Sequence, residues 1–125
     1  MRRPQEDSLC ALCHFFNLLP VWGLIFCAWV WYALLEESRL VVFHARQAMA
    51  FHALALGVGL MWMVISLIGR ILNVLSPSLA ALLQLANNTV VTILAIGYVV
   101  ACLWGCWCCL AGRPFRYPLV NRHEP

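Results

Sequence analysis

The chain has 125 residues, of which 64% are hydrophobic and only 10% charged, whereas soluble domains are roughly half apolar and one-quarter charged. It contains no lysine, and its net charge of +3 rests on eight scattered arginines, which excludes a nucleic-acid footprint and points away from a soluble globular fold. With no fixed-period repeats or low-complexity tracts, this length predicts one all-α, polytopic integral membrane domain, 1–125.

The first apolar stretch, Leu9 to Leu35, would run about 40 Å as one helix, more than a hydrocarbon core of ~30 Å requires. Pro20 removes a backbone donor and disfavours helix at Leu19, so a break is expected there. A leading segment, Leu9 to Leu19, then precedes a span from Val21 to Leu35, and Glu36, Glu37 and Arg39 mark the exit to water. The stretch is too long for a cleaved signal peptide and carries Trp29, Trp31 and Tyr32 where small residues belong. The second span, 47–69, lies between Arg46 and Arg70, with 23 residues free of formal charge, enough for a full crossing.

In the next segment, "RILNVLSPSLAALLQLANN", Ser76 reads as an N-cap and Pro77 as a first helical residue, with Leu79, Leu82, Leu83 and Ala86 on one face. A helix over 77–86, stopped by Asn87-Asn88, would be only about 15 Å long, which predicts an interfacial or re-entrant element. The third span, 89–111, ends at Gly112-Arg113-Pro114, ahead of a basic tail, 112–125. The expected architecture is therefore three transmembrane helices plus one short helix; a fourth crossing would need Arg70 to Ala86 to form one bent helix. With three spans, Arg39, Arg46, Arg113, Arg116 and Arg122 share one side, and Arg2, Arg3 and Arg70 the other. That distribution predicts a cytoplasmic C-terminus.

The stretches "LCALCHFFNLLP", "ESRLVVFHARQAMAF" and "RPFRYPLV" together resemble the small bacterial membrane proteins of unknown function related to the twenty-kilodalton subunit of the chloroplast inner-envelope import translocon, often called Tic-like. The matching positions are Cys13-His14, Phe43-His44-Ala45-Arg46-Gln47-Ala48 and Phe115-Arg116-Tyr117-Pro118-Leu119. The resemblance implies a helical protein of a bacterial inner membrane and, by way of the plastid relatives, a part in protein translocation.

Several side chains carry candidate chemistry. Cys10, Cys13 and His14 form C-x-x-C-H, the covalent attachment pattern of a c-type haem, here at the start of an apolar segment with no soluble haem-wrapping domain. His44 and His52 lie eight residues apart, about 12 Å of rise and roughly 80° out of register, so they cannot share one ion. Each could singly ligate a haem or chlorophyll-type pigment; interhelical hydrogen bonding is the plainer role for a histidine inside a span. No resident cofactor and no metal site are expected. In "CLWGCWCCL", Cys102, Cys106 and Cys109 fall on one stripe beside Gly105, a pattern that suits close helix approach. Arg46, Gln47, Arg113, Arg116 and Tyr117 are candidates for a partner interface, the last three held between Pro114 and Pro118.

No carboxylate lies within an expected span, and neither a Ser-His-Asp set nor a phosphate loop occurs. The sequence thus predicts a non-enzymatic protein acting by association. The leading role is an accessory or stabilising subunit of a larger membrane complex, with the lipid bilayer and other membrane subunits as partners and no nucleic acid or soluble small-molecule substrate. A Tic-like translocation component and a haem- or bacteriochlorophyll-binding subunit are the alternatives.

Overall fold

The computed structural model describes residues 4–19, 21–34, 38–113 and 115–117. All regular structure among the described residues is helical: α1 Pro4–Phe16, α2 Trp22–Ala33, α3 Arg39–Leu75 and α4 Pro77–Leu110. They fall into two compact units, Met1–Ala53 with Val99–Pro125, and Leu54–Tyr98.

In the first unit, α1 opens with a proline at its first position, where no intrahelical donor is lost, and carries Glu6 and Asp7 in its first turn. Both choices suit the positive end of a helix. Its buried residues, Cys10, Ala11, Cys13 and His14, fall on one face, continued past the helix by Asn17. The chain leaves the helix through Leu18 and Leu19, whose amides bond to the carbonyls of Phe15 and Phe16 at 3.0 and 2.9 Å. The break expected near Pro20 is thus present between α1 and α2, although Pro20 itself lies outside the described residues. Helix α2 buries Gly23, Cys27 and Val30, spaced i, i+4, i+7, and its Phe26 stacks on Phe16 at 4.3 Å. At 12 residues it is about 18 Å long, shorter than the crossing expected over 21–35. The exit at Glu36 and Glu37 lies outside the described residues.

Helix α3 starts at a side-chain cap, the Ser38 hydroxyl accepting from the Val41 amide at 3.4 Å. Its portion of this unit buries Val41, His44, Ala45, Ala48, Phe51 and His52, one stripe at helical spacing in which two alanines permit close packing. The end of α4 buries Cys102, Cys108 and Cys109. It stops in a Schellman motif: Gly112 takes φ +64°, its amide bonds to Cys109 O at 3.0 Å, and the Arg113 amide bonds to Cys108 O at 2.8 Å. The stop anticipated at Gly112 is therefore made by its left-handed backbone, and it turns the following residues back toward the helices.

The second unit is a helical hairpin, the last part of α3 and the first part of α4, joined at Ser76. Here the usual polarity of a soluble protein is inverted. Leu60, Met61, Met63, Leu67, Ile71, Val74, Leu79, Leu82, Leu85, Ile93 and Ile96 are exposed, Val74 to 85%. The amides face the partner helix instead: Gln84 Nε2 donates to Ser66 O at 2.8 Å, and Asn87 Nδ2 to Ser66 Oγ at 3.1 Å and Trp62 O at 3.4 Å. Trp62 Nε1 donates to Asn88 Oδ1 at 3.1 Å. Thr89 and Thr92 return their hydroxyl protons to Leu85 O and Asn88 O of their own helix. Gly69 lies against the Gln84 side chain, which would have to move to admit a Cβ. Apolar outside and hydrogen-bonded inside is the arrangement a bilayer selects, because lipid neither drives helices together nor solvates a lone amide.

Two corrections to the expected architecture follow. Helix α4 runs unbroken through Asn87 and Asn88, so the separate 77–86 element and the 89–111 span are one helix of 34 residues. The asparagines do not stop it because their side chains bond across to α3. The span expected over 47–69 is likewise the middle of a 37-residue helix. Two helices, α3 and α4, are long and apolar enough to cross a membrane, and a third such helix is not among those described.

The interhelical amides are open to a direct test. Asn87→Ala removes two cross-hairpin hydrogen bonds; at ~0.6 kcal/mol each in a membrane protein, a loss of about 1 kcal/mol is expected. Reversible unfolding in mixed micelles, followed by helical circular dichroism, reads that loss, and an unchanged midpoint would remove these bonds from the account of hairpin stability.

Candidate functional site

The first unit brings together side chains that the sequence keeps far apart. His14 from α1, His44 from α3 and Cys109 from α4 converge, with their ligand-capable atoms all within 4.8 Å of one another. His14 Nε2 and His44 Nδ1 are 3.2 Å apart, and Cys109 Sγ is 3.9 Å from the same His44 nitrogen. On its other side, His14 Nδ1 is 2.8 Å from the Tyr117 hydroxyl. The imidazole is 0% exposed, wedged edge-on against the rings of His44, Phe115 and Tyr117 at 5.2–5.3 Å. Burial, and secondarily the charge of the neighbouring His44, hold its pKa down to about 3, so the ring is neutral at physiological pH.

Local sequence explains each placement. His14 sits at i+4 from Cys10, on the inward face of α1. His44 occupies the first buried turn of α3, between Val41 and Ala45. Gly105 of α4 leaves room for the His14 ring: a Cβ there would lie 3.1 Å from His14 Cγ and 2.7 Å from Phe115 Cε1. Tyr117 returns from the Gly112 turn to stack on Phe51, ring centroids 4.0 Å apart and planes within 13°.

Cysteines line the surroundings. All seven are free, and six are buried. Cys10 and Cys109 pack in the same buried cluster. Cys27 donates to Cys13 O at 3.5 Å and lies 3.9 Å from Asn17 Oδ1, while Asn17 Nδ2 donates to Ala48 O at 2.8 Å. A hydrogen bond with Cys27, reinforced by burial, pushes the Cys13 thiol far up, so Cys13 stays protonated and unreactive.

These positions redistribute the roles read from the sequence. Cys10 and Cys13 of the haem-like motif are both in the apolar core, and His14 has both ring nitrogens engaged. His44 pairs with His14, a combination the sequence reading did not consider, whereas His52 is buried outside the cluster. Two of the five residues expected at an interface do not reach the surface. Tyr117 is 0% exposed, because the Schellman turn folds the tail inward, and Gln47 is buried at 4%. The Gln47 amide has no hydrogen-bond partner among the described residues. Arg46 and Arg116 are exposed, their guanidinium groups 5.5 Å from the Trp31 ring and 5.8 Å from the Phe43 ring. Arg113 is exposed at the end of α4, and Pro114 and Pro118 lie outside the described residues. Cys109 as a member of the cluster was missed as well, since only its helical stripe, and not the helix it faces, is visible in sequence.

A hairpin with an apolar exterior and a buried histidine–cysteine cluster drawn from α1, α3 and α4 describe a small α-helical membrane protein. The comparison with known families sharpens that class: residues 5–123 match the MamF/MmsF family, described as the magnetosome magnetite crystal formation protein family. The match covers nearly the whole chain, and the protein belongs to this family. Comparisons with curated proteins and with solved structures return no match. The family assignment overturns the Tic-like resemblance and, with it, the translocation role that rested on it alone. The motifs behind that resemblance include His14, His44 and Tyr117, which pack on one another here. Such motifs report a packing pattern, and a packing pattern does not fix an activity.

Proposed function

We propose that this protein is a non-enzymatic component of the magnetosome membrane that supports magnetite crystal formation by associating with other membrane proteins. The family match over residues 5–123 carries the reading. The structure supports its physical side: α3 and α4 present apolar surface suited to lipid, and Trp22, Trp29 and Tyr32 are exposed along α2, as aromatic residues are at membrane–water boundaries and in contacts with companion helices. With α3 and α4 as the crossings, Arg39 and Arg46 before the hairpin and Arg113 and Arg116 after it would share one side, against Arg70 alone. Positive charge of that distribution favours a cytoplasmic C-terminus.

The test is deletion of the gene in a magnetosome-forming host, with electron microscopy of the crystals and imaging of a fluorescent fusion. Loss of the chain is expected to alter crystal number, size or shape, with rescue by the intact gene and the fusion following the magnetosome chain. Unaltered crystals, together with a fusion spread evenly over the cell membrane, would overturn the proposal.

A further inference from the structure

We propose that His14, His44 and Cys109, with Cys10 as a fourth donor, form a binding site for one divalent transition-metal ion of the zinc or ferrous class, clamping α1 to α3 and α4. The distances are those of a site awaiting small adjustments. In a tetrahedral centre with metal–nitrogen bonds of ~2.0–2.1 Å and metal–sulfur bonds of ~2.3 Å, donor atoms stand about 3.3–3.8 Å from one another. His14 Nε2 and His44 Nδ1 are at 3.2 Å, and Cys109 Sγ and His44 Nδ1 at 3.9 Å. Cys10 lies one turn before His14 on the same face of α1 and packs in the same buried cluster as Cys109, so a side-chain adjustment there would close the donor set with two nitrogens and two sulfurs.

The chemistry of the set fits a buried cation. Two neutral imidazoles and two thiolates balance a divalent charge, and a site of zero net charge is the form that a low-dielectric interior tolerates. Binding releases two protons to solvent, one from each thiol, with no change of oxidation state.

Tyr117 supplies the outer partner that metal-binding histidines need. Its hydroxyl can donate to Cys102 Sγ at 3.9 Å, leaving the oxygen free to accept Nδ1–H of His14 at 2.8 Å. That tautomer aims the Nε2 lone pair into the cluster. Plain helix packing asks for none of this: apolar side chains would fill the same volume without placing two imidazole nitrogens and two thiols together. His14, His44, Cys10 and Cys109 are all buried, so the ion would be a resident one, out of contact with any growing mineral face. The inference rests on this geometry and is independent of the role proposed for the protein in crystal formation.

The test uses the full chain, purified in detergent under a thiol-free reductant, stripped with chelator and titrated with Co²⁺. One cobalt per chain is expected, with the visible bands of a tetrahedral centre and a near-ultraviolet thiolate-to-cobalt band, both displaced by Zn²⁺. His44→Asn should abolish stoichiometric uptake. Cys10→Ser and Cys109→Ser should each weaken the charge-transfer band and jointly remove it. Tyr117→Phe should lower affinity about 10–100-fold, as loss of an outer partner does, while His52→Asn should leave the spectrum unchanged. Circular dichroism checks the fold of each variant. Absence of stoichiometric cobalt in the wild-type chain overturns the proposal whatever the variants do, as does a charge-transfer band that persists in the folded Cys10/Cys109 double variant.

Discussion

Tyr117→Ala should destabilise the protein by about 3–5 kcal/mol, the usual cost of truncating a fully buried aromatic side chain. Tyr117 is the largest side chain buried completely among the described residues, and ring contacts and hydrogen bonds both end on it. Its ring stacks on Phe51 at 4.0 Å, meets Phe115 edge-on at 4.9 Å, and its hydroxyl sits 2.8 Å from His14 Nδ1. Truncation leaves a cavity beside α3 and strips His14 of a partner in a place water does not reach. Tyr117→Phe separates the two contributions: with the ring kept, the loss should fall to about 1–3 kcal/mol, the cost of an unsatisfied buried polar group. Unfolding in mixed micelles, read by tryptophan fluorescence, orders wild type, Tyr117→Phe and Tyr117→Ala in that sequence. A phenylalanine variant as unstable as the alanine variant would show that the hydroxyl, and not the ring, anchors the tail.

The second large effect is expected at Gly23. A Cβ at this position would fall on the carbonyl oxygen of Phe16 and lie 2.9 Å from Phe16 C and 3.0 Å from Asn17 Cα. These are backbone atoms at the end of α1, unable to rotate aside as a side chain would. Gly23→Ala therefore forces α2 away from α1, separating Phe26 from Phe16 and Cys27 from Cys13 O. Overpacking of this kind costs about 1–3 kcal/mol, occasionally more, and it outweighs the gain of up to ~1 kcal/mol that alanine brings to a helix interior. The same substitution at Gly57, Gly59 or Gly97, where a Cβ meets nothing within 4 Å, should be neutral or stabilising. Equal thermal midpoints for Gly23→Ala and Gly57→Ala would mean that the α1–α2 contact is not held at the distance described.

What the sequence disclosed and what it hid divide along the range of the interactions. Helix limits set by local chemistry were legible: Pro77 as a first helical residue, Gly112 as a stop and the break near Pro20 each depend on a few neighbouring residues. Asn87-Asn88 misled because asparagine ends helices when its side chain competes for nearby backbone, whereas here Asn87 bonds to Ser66 and Trp62 on the other arm of the hairpin. The histidine–cysteine cluster was out of reach for a related reason. His14 and His44 are 30 residues apart, and His44 and Cys109 are 65 apart, so no periodicity within one helix connects them. The eye is drawn instead to His44 and His52, which share a helix but do not converge. Tyr117 was read as a docking residue because proline, arginine and aromatic residues crowd its neighbourhood; only the left-handed turn at Gly112, acting at a distance of five residues, sends it indoors.

The hairpin has a consequence for how the protein enters its membrane. Gln84 and Asn87 on the second arm find their acceptors at Trp62 and Ser66 on the first, so the second arm released alone into lipid would carry amides with nothing to bond to across the bilayer interior. With a single residue, Ser76, between the arms, they can meet as soon as the second emerges during synthesis. The acceptors at Trp62 and Ser66 thus precede the amides in the chain, and the second arm enters the membrane against a partner already in place.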